Sequence, residues 1–402
     1  MTATEMLFNP FAPGFTDDPY PTYRRMREVD PVHEHPFGFW VLSAYDDIAA
    51  LLRAGLSVDD REVAGGQIRE QMDQLDLGVL NLSMVHRDPP DHTRLRSLVS
   101  KVFTTRSVAA MEGEITGLVD AALDRIEAAG HADLVEALAF PLPFAVISKM
   151  LGMPPADHAR IRELTGVLAL SLQVVTDPEV LKQIAEAGRE MTAVTRELIA
   201  WKRANPADDL FSALIAAEHE GGKLSDDELI AQVVMLYIAG HETTVNLISN
   251  GTVALLRNPG QLALLRARPE LAANAVEEFL RYDSPVQQSK RITLAPYTVR
   301  GRTIPAGTFV FACLASANRD ERFWGPDADR LRLERPNARS HVSFGAGPHH
   351  CLGAALARLE GRVAIERLVR RFPRLALDGE VEWNGRINLR GPARLPINTG
   401  DK

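Results

Sequence analysis

The chain has 402 residues, and 46% of them are hydrophobic, which is ample for a large buried core. The formal net charge of −8 and the scatter of both signs along the chain argue against nucleic acid as a partner. Two prolines and two aspartates between residues 10 and 18 interrupt the N-terminal stretch, which predicts neither a signal peptide nor a membrane anchor. Only two cysteines, Cys313 and Cys351, are present, so we expect no disulfide framework and a reducing, cytoplasmic location.

Helical patterning dominates the chain, without internal repeats or low-complexity linkers. The first 60 residues mix turns with short extended runs such as 39–42, and a loop rich in Gly, Asp and Gln is expected over about 58–78. The helices predicted after this loop cover about 92–103, 111–129, 143–151, 157–171, 178–204 and 210–219.

The most strongly predicted element is a helix over 225–257. Ser225 and Glu228 form a capping box at its start, and Asn258-Pro259 ends it. At ~1.5 Å per residue such a helix is about 50 Å long, enough to cross the molecule. Its middle, 233–240, is almost wholly apolar, which predicts burial on all sides, but polar residues follow too soon for a membrane span.

The C-terminal part continues with a helix over about 271–282 and then strand-like segments separated by turns. Cys313 lies in an apolar run there, which favours a buried, inert thiol. A loop rich in Pro, Gly and Asp is expected over 318–343, and a last helix over 352–372. The fold class is therefore mainly α with a minor β layer.

Cys351 stands in the loop 344–353, at the start of this last helix. Free backbone N–H groups and the helix dipole would favour a thiolate there. Gly345 and Gly347 let the loop turn sharply, and Gly353 removes a side chain where a flat cofactor would approach. A thiolate so held is a strong axial donor to haem iron.

Other interpretations of this loop exist. Zinc would need 349–351, three consecutive residues, to converge on one ion, and no second ligand pair stands out. A nucleotide loop would need glycine where His350 stands. A catalytic Cys–His pair stays possible, so the local chemistry alone leaves the role of Cys351 open.

The segment 239–244 lies midway along the long helix. A zinc-protease motif fails because Val245 stands where the second histidine is required. Gly240 costs about 1 kcal/mol in a helix interior, which suggests a kink with Thr243 bonding back to a freed carbonyl. Glu242 beside that hydroxyl can then supply protons to dioxygen. A glycine at a helix crossing, with the threonines merely tolerated, is the equally open alternative.

Two further patterns are weak by themselves. His92 and Arg96 are four residues apart and so share one helix face. Glu278-x-x-Arg281 could be an ion pair, but the spacing is common and recurs elsewhere in the chain.

Taken together, these motifs resemble the cytochrome P-450 family, whose signature is Phe-x-x-Gly-x-x-x-Cys-x-Gly. Phe344, Gly347, Cys351 and Gly353 occupy every fixed position, whereas Ala346 replaces a histidine that is frequent in soluble bacterial members. The segment 239–243 is similar to the family's Ala-Gly-x-Asp/Glu-Thr, and 88–96 to its propionate-binding helix. The matching motifs run from about residue 88 to 353, so the resemblance covers nearly the whole chain.

The resemblance implies one domain over 1–402 with the triangular P-450 fold, and haem b (iron protoporphyrin IX) between the central helix and the helix after the cysteine loop. Cys351 would bind the iron, with Phe344 and Gly353 beside the haem. Glu278 and Arg281 would form a structural cluster with Arg330. The residues expected to hold the propionates are His92, Arg96, Arg291 and His349.

The implied activity is insertion of one oxygen atom from dioxygen, with Glu242 and Thr243 as the catalytic acid and alcohol. Electrons would come from a ferredoxin and its NAD(P)H-dependent reductase, docked near Arg358 and Arg362. A peroxide-driven or non-oxygenating haem-thiolate enzyme, or a non-catalytic haem sensor, is the alternative.

The resemblance also suggests where a substrate would bind. The loop 61–84 and the region 168–175 would contact a medium-sized lipophilic compound, as in natural-product tailoring. The side chains and glycine expected to line the pocket are Asn81, Met84, Ala239, Gly240, Thr244, Val286, Gln287, Gln288 and Leu389.

Overall fold

The computed structural model describes residues 7–65, 69–70, 77–100, 103–154, 158–172, 175, 177–219 and 222–400. Helix predominates over strand in these ranges, which confirms the predicted fold class. The α-helices are Tyr20–Val29, Tyr45–Leu51, Asp91–Ser100, Thr105–Ala110, Glu112–Ala129, Pro141–Leu151, His158–Leu168, Pro178–Ala204, Leu210–Ala216, Asp226–Leu256, Pro259–Ala267, Ala272–Tyr282, Leu314–Ala317, Glu321–Trp324 and Ala354–Arg371.

The strands are short and form a minor layer. The main sheet has the order Val32–Glu34, Trp40–Leu42, Phe309–Ala312, Ser289–Ile292, in which only the middle pair is parallel. His131–Asp133, Pro396–Asn398 and Ala376–Leu377 form a three-stranded sheet. The remaining strands pair two by two: Glu218–His219 with Gly222–Lys223, Tyr297–Val299 with Arg302–Ile304, and Glu382–Trp383 with Pro392–Arg394.

The central helix, Asp226–Leu256, begins as the capping box predicts. The Ser225 side chain accepts from the backbone N–H of Glu228, and the Glu228 side chain accepts from that of Ser225. The helix continues without a break through Gly240. Most of its residues are buried, because helices pack on all sides of its middle.

In the part of the chain that the structure describes, the core has three clusters of buried side chains. The largest joins the central helix to Glu112–Ala129, Pro141–Leu151 and Pro178–Ala204. A second cluster packs the N-terminal segment on the main sheet and contains Cys313, whose thiol pKa is raised by burial, as expected of an inert cysteine. The third cluster lies between the C-terminal half of the central helix, Ala272–Tyr282 and Ala354–Arg371.

The N-terminal 60 residues differ from the prediction. They were expected to be turns and extended runs, but they contain the helices Tyr20–Val29 and Tyr45–Leu51. Prolines near residue 20 suggested a turn, whereas Pro19 and Pro21 occupy the start of the first helix, where a missing N–H costs nothing. The predicted strand 39–42 is confirmed as Trp40–Leu42.

Candidate active site

The loop before Cys351 is shaped by two glycines in left-handed conformations. Gly345 has φ +66° and Gly347 has φ +70°. A Cβ on Gly347 would lie 2.5 Å from the backbone oxygen of Leu52, so only glycine fits there. The backbone N–H of Cys351 donates to the carbonyl of Phe344 over 2.9 Å, which closes the loop. The predicted role of both glycines in turning the chain is confirmed.

Cys351 is an exposed residue, although the protein atoms near its sulfur desolvate the thiol. This desolvation raises the pKa of the thiol, and it outweighs a hydrogen bond from the backbone of Gly353 and the charges of Arg96 and Arg358, which lower it. The expectation that the loop by itself favours a thiolate is therefore wrong. A coordinated metal ion would supply the missing stabilisation.

A cluster of basic side chains lies next to this loop. The rings of His92 and His349 are 4.1 Å apart, and Arg96 donates to the backbone oxygen of His350 over 2.6 Å. Burial, together with the nearby charges of His92, Arg291 and Arg96, lowers the pKa of His349 to about 3. The structure thus brings together all four residues that were predicted to bind propionates.

Two side chains of this basic cluster have incomplete partners among the described residues: one ring nitrogen of His92 makes no hydrogen bond, and Arg291 forms no ion pair. Within the described ranges, the buried Nε2 of His92 makes no hydrogen bond. Arg291 is 5% exposed and donates only to the Ser289 hydroxyl and the Lys290 carbonyl, over 2.8 and 2.6 Å. Asp88 is the acid that acts on its charge, but Asp88 accepts from Ser57 and from the backbone of Val58. Among the described residues, no acid therefore forms an ion pair with the buried Arg291, although a buried cation requires an anion.

The middle of the central helix presents a small accessible strip within an otherwise buried element. Ala239 is exposed, and Gly240 and Thr243 are half-buried. The Thr243 hydroxyl donates to the carbonyl of Ala239 over 2.8 Å, as predicted, and Thr244, which is buried, donates to that of Gly240 over 3.2 Å. A Cβ on Gly240 would meet no atom within 4 Å, so a helix crossing is not the reason for this glycine.

Glu242 has a partner that the sequence did not reveal. Its carboxylate is buried and lies 3.0 Å from a guanidinium nitrogen of Arg386, 144 residues later. His241, the residue before Glu242, packs against the Phe140 ring, and its Nε2 is 3.0 Å from the Phe140 carbonyl oxygen.

Comparisons with known proteins identify the family. The cytochrome P-450 family model matches residues 38–267 and 265–384. Cytochrome P-450 monooxygenase PikC of Streptomyces venezuelae is 41% identical over 395 residues, 95% of this chain and 91% of that protein. Vitamin D(3) 25-hydroxylase of Pseudonocardia autotrophica is 41% identical over 401 residues, 98% and 96% of the two chains. The structure of Bacillus subtilis bacillaene polyketide synthase cytochrome P-450 PksS aligns with a TM-score of 0.89 at 36% identity, covering 98% of this chain and 99% of that one.

The chain belongs to the cytochrome P-450 family. It is a P-450 monooxygenase, as the sequence predicted, and the family implies a haem-thiolate cofactor. No helix in the described ranges combines the length and the apolar character needed to cross a bilayer.

The P-450 ion-pair cluster is present, but with one partner corrected. Glu278 and Arg281 are fully buried and 2.7 Å apart. The third side chain is Arg335, whose Nε lies 3.2 Å from both Glu278 oxygens, whereas Arg330 is exposed and contributes only its carbonyl to Arg281. The alternation of buried Leu331, Leu333 and Arg335 with exposed residues was the missed signal.

The predicted substrate residues have mixed outcomes in this P-450. Val286 and Leu389 face each other in an isolated antiparallel bridge. Gln287 is wrong as a pocket residue, because its amide is used within the protein: it accepts from the Tyr23 hydroxyl and donates to the Ser284 carbonyl, over 3.2 and 2.7 Å. Gln288 is buried beside the same phenol.

The pocket segments near the start of the central helix are described only in part. Residues 66–68 and 71–76 of the predicted loop 61–84, and residues 173–174 of the region 168–175, lie outside the described ranges. Met84 is buried, and its backbone N–H donates to the side chain of Gln232 on the central helix over 3.0 Å. Asn81 is exposed on the turn Gly78–Leu82 that packs against the same helix. Gln232 was not foreseen from the sequence.

The two arginines suggested for docking a redox protein are both ion-paired within the P-450 itself. Arg358 lies 2.8 Å from Glu277 and its guanidinium stands over the Phe344 ring. Arg362 lies 2.6 Å from Glu112. Both remain about one-third exposed. Their charges are therefore partly neutralised by the protein's own acids, which weakens them as docking candidates.

Proposed function

We propose that this P-450 carries haem b on Cys351 and inserts one oxygen atom from dioxygen into a C–H or C=C bond of a medium-sized lipophilic compound. One observation carries the proposal: a lone thiol at the mouth of a glycine loop lies beside a basic cluster in which, among the described residues, the buried Arg291 contacts no acid and the Nε2 of His92 has no partner. Haem provides what both features need, an iron atom for the sulfur and two carboxylates for the cations.

The donor set fits the cofactor residue by residue. His92, Arg96, Arg291 and His349 would hold the propionates. The strongest indications within the described ranges are the Nε2 of His92, which has no hydrogen-bond partner, and Arg291, which contacts no acid. An added Cβ on Gly353 would meet no atom within 4 Å, so this position leaves room for a flat ring beside Cys351. Phe344 lies in the same loop, between the Arg358 guanidinium and the His341 ring. When bound, the haem would supply the chemistry that reduces dioxygen and cleaves its O–O bond.

Glu242 and Thr243 would deliver protons at this site. The Thr243 hydroxyl is fixed by its bond to Ala239 and lies on the accessible strip of the helix, where it can donate or pass a proton. Glu242, one residue before it, is an acid that can exchange protons with solvent-derived water. Together they would form a short proton relay, in which Glu242 supplies the proton and Thr243 passes it on at the accessible strip.

Substrate and electrons come from outside the chain. The accessible strip of Ala239, Gly240 and Thr243, with Val286 and Leu389, supports an apolar substrate with few polar groups. The similarity to a polyketide-synthase P-450 and to a vitamin D(3) hydroxylase favours a polyketide or a steroid-like compound. A ferredoxin and its NAD(P)H-dependent reductase would deliver the electrons.

The two cysteines allow a direct test of the haem-thiolate. We expect the reduced protein under carbon monoxide to show the strongly red-shifted Soret band of a thiolate complex. The Cys351→Ser variant should lose this band, while Cys313→Ser, a matched control in the buried sheet core, should keep it. A band that survives in the Cys351 variant, or that is absent from the unmodified protein, would overturn the proposal.

A further inference from the structure

We propose that Arg386 is a positioning residue for the Glu242 carboxylate and that, through the loop 384–391, the substrate pocket shares in holding this acid. The inference rests on the proposed function, because it concerns the acid of the proton relay. Its starting point is the ion pair between Arg386 and Glu242, in which both side chains are largely buried, at 20% and 11% exposure.

The loop that carries Arg386 is closed upon itself. The Asn384 side chain accepts from the backbone N–H of Arg386 over 3.0 Å and donates to the carbonyl of Leu389 over 2.8 Å. The backbone N–H of Asn384 donates to the carbonyl of Gly391 over 3.0 Å. These bonds make the loop a compact unit and hold the backbone of Arg386 within it.

The same loop lies along one polar face of the central helix. Glu242, Asn246 and Asn250 are spaced four residues apart and so share a face. Asn250 donates to the carbonyl of Arg390 over 3.0 Å, and Gly391 approaches Asn246 so closely that a Cβ would lie 2.1 Å from its amide oxygen. Together with the Arg386–Glu242 ion pair, the loop therefore contacts this face at three positions, one helical turn apart. The ion pair is the contact next to the accessible strip.

The loop also contacts the predicted pocket. Leu389 bridges to Val286, and the Asn388 side chain donates to the carbonyl of Leu172, at the end of the turn Ala169–Leu172, over 3.0 Å. A ligand that presses on Leu389 or on this turn would thus move the unit that holds Arg386. Through this loop, the pocket residues are connected to Arg386 and so to the Glu242 carboxylate.

One measurement distinguishes an Arg386 that positions the acid from an Arg386 that only supports folding. An arginine that positions the acid affects proton delivery, and with it the proportion of dioxygen that is reduced to peroxide or to water. An arginine that only anchors the loop affects stability alone. Two balanced reactions report on this: O₂ + 2e⁻ + 2H⁺ gives H₂O₂, and O₂ + 4e⁻ + 4H⁺ gives 2H₂O. Electrons come from NAD(P)H through an added ferredoxin pair, so dioxygen is the only probe needed.

The test compares the ratio of water to peroxide formed by the haem-loaded full chain in H₂O and in D₂O. For Arg386→Gln we expect this ratio to fall about tenfold, less than the 10²–10⁴-fold that a general acid itself supplies. The rate ratio between H₂O and D₂O should rise about twofold, because proton delivery becomes more limiting. Arg386→Lys, which keeps the charge, should recover the water-to-peroxide ratio to within about threefold of the unmodified enzyme.

Three further variants make the outcome decisive. Arg394→Gln removes an exposed ion pair with Glu382 on the neighbouring strands and should change nothing. The Glu242→Gln/Arg386→Gln double variant should lose no more than Glu242→Gln alone, since the two residues act as one unit. Asn384→Ala loosens the loop without removing a charge and should lower the ratio about threefold, which tests the idea even if Arg386→Gln fails to retain haem.

An unchanged ratio in Arg386→Gln or in Asn384→Ala, with the red-shifted carbon monoxide band intact, would overturn this inference and leave the proposed function standing. Additive losses in the double variant would overturn it as well. Absence of the band from the unmodified protein would instead remove the proposed function, and the inference with it.

Discussion

Thr243 is the residue that distinguishes the oxygen-activating mechanism from its rivals. Its hydroxyl is on the accessible strip of the central helix and donates to Ala239 over 2.8 Å. In Thr243→Ala the relay lacks its last hydroxyl, so we expect peroxide released per NAD(P)H to rise several-fold while the haem spectrum stays normal. A peroxide-driven or non-oxygenating enzyme would show no such rise.

The matched control for this prediction is Thr252→Ala. Thr252 is on the same helix, is buried, and makes the same bond, to the carbonyl of Ile248 over 2.8 Å. Its loss should change stability but not the yield of peroxide. Equal peroxide yields from both variants would contradict the assignment of Thr243.

Single residues also show how far the sequence could be interpreted. The back bond of Thr243 was predictable because both partners lie within one helical turn. Arg386 was not, because an ion pair with Glu242 across 144 residues leaves no local pattern. Gln287 was assigned to the pocket from its neighbourhood in the chain, but its amide is consumed by Tyr23 and Ser284, a geometry that only the folded chain reveals.

At the scale of elements, the buried ion-pair cluster joins the helix Ala272–Tyr282 to the loop 318–343. Arg335 is 2% exposed and forms an ion pair with Glu278, which also pairs with Arg281. In Arg335→Met Glu278 keeps its pair with Arg281, but the carbonyls of Asp327 and Arg330 lose a donor. We therefore expect the free energy of unfolding to fall by ~1–3 kcal/mol. Denaturant unfolding of the haem-loaded chain measures the difference.

Arg330→Met is the control, because this side chain is exposed and only its carbonyl takes part in the cluster. Its effect should stay within about 0.5 kcal/mol. A larger loss from Arg330→Met than from Arg335→Met would restore the original sequence-based assignment.

Elements differ in how much of their structure is local. The helix Pro178–Ala204 has the predicted bounds, because its proline start, apolar spacing and basic last turn are all local signals. The helix Tyr20–Val29 was missed, since Pro19 and Pro21 equally suit a turn. The parallel pairing of Trp40–Leu42 with Phe309–Ala312 joins segments about 270 residues apart, and nothing in either segment specifies the other.

For the whole molecule, the site is assembled from distant parts of the chain. His92, Arg291 and His349 meet although about 200 and 60 residues separate them in turn. Of the three, only His349 lies within the signature loop 344–353. The family resemblance supplied the expectation that they converge, and the basic cluster without a partner anion is its physical counterpart. Packing of the helix 91–100 and the main sheet around the cysteine loop brings this about.

Glu360 connects the stability of the whole molecule to pH. It lies in the helix Ala354–Arg371, is 1% exposed, and its Oε2 has no hydrogen-bond partner in the described ranges. Burial raises the pKa of this carboxyl to about 8. The folded chain therefore holds this proton more tightly than the unfolded chain, in which a glutamate titrates near 4.3. The stabilisation is complete below about pH 4 and is lost progressively as pH rises towards 8.

Replacing Glu360 by glutamine should remove this pH dependence, because an amide does not ionise. Between pH 5 and 7.5 the free energy of unfolding of the unmodified chain should fall relative to that of Glu360→Gln by up to about 1.4 kcal/mol per pH unit, and by ~3 kcal/mol over the whole interval. Denaturant unfolding of both haem-loaded proteins at several pH values measures this difference. Glu366→Gln, on the same helix but 28% exposed and near Arg362, should follow the unmodified chain. Parallel pH curves for Glu360→Gln and the unmodified chain would mean that this carboxyl is ionised in the folded protein, and that an unseen water or side chain compensates its charge.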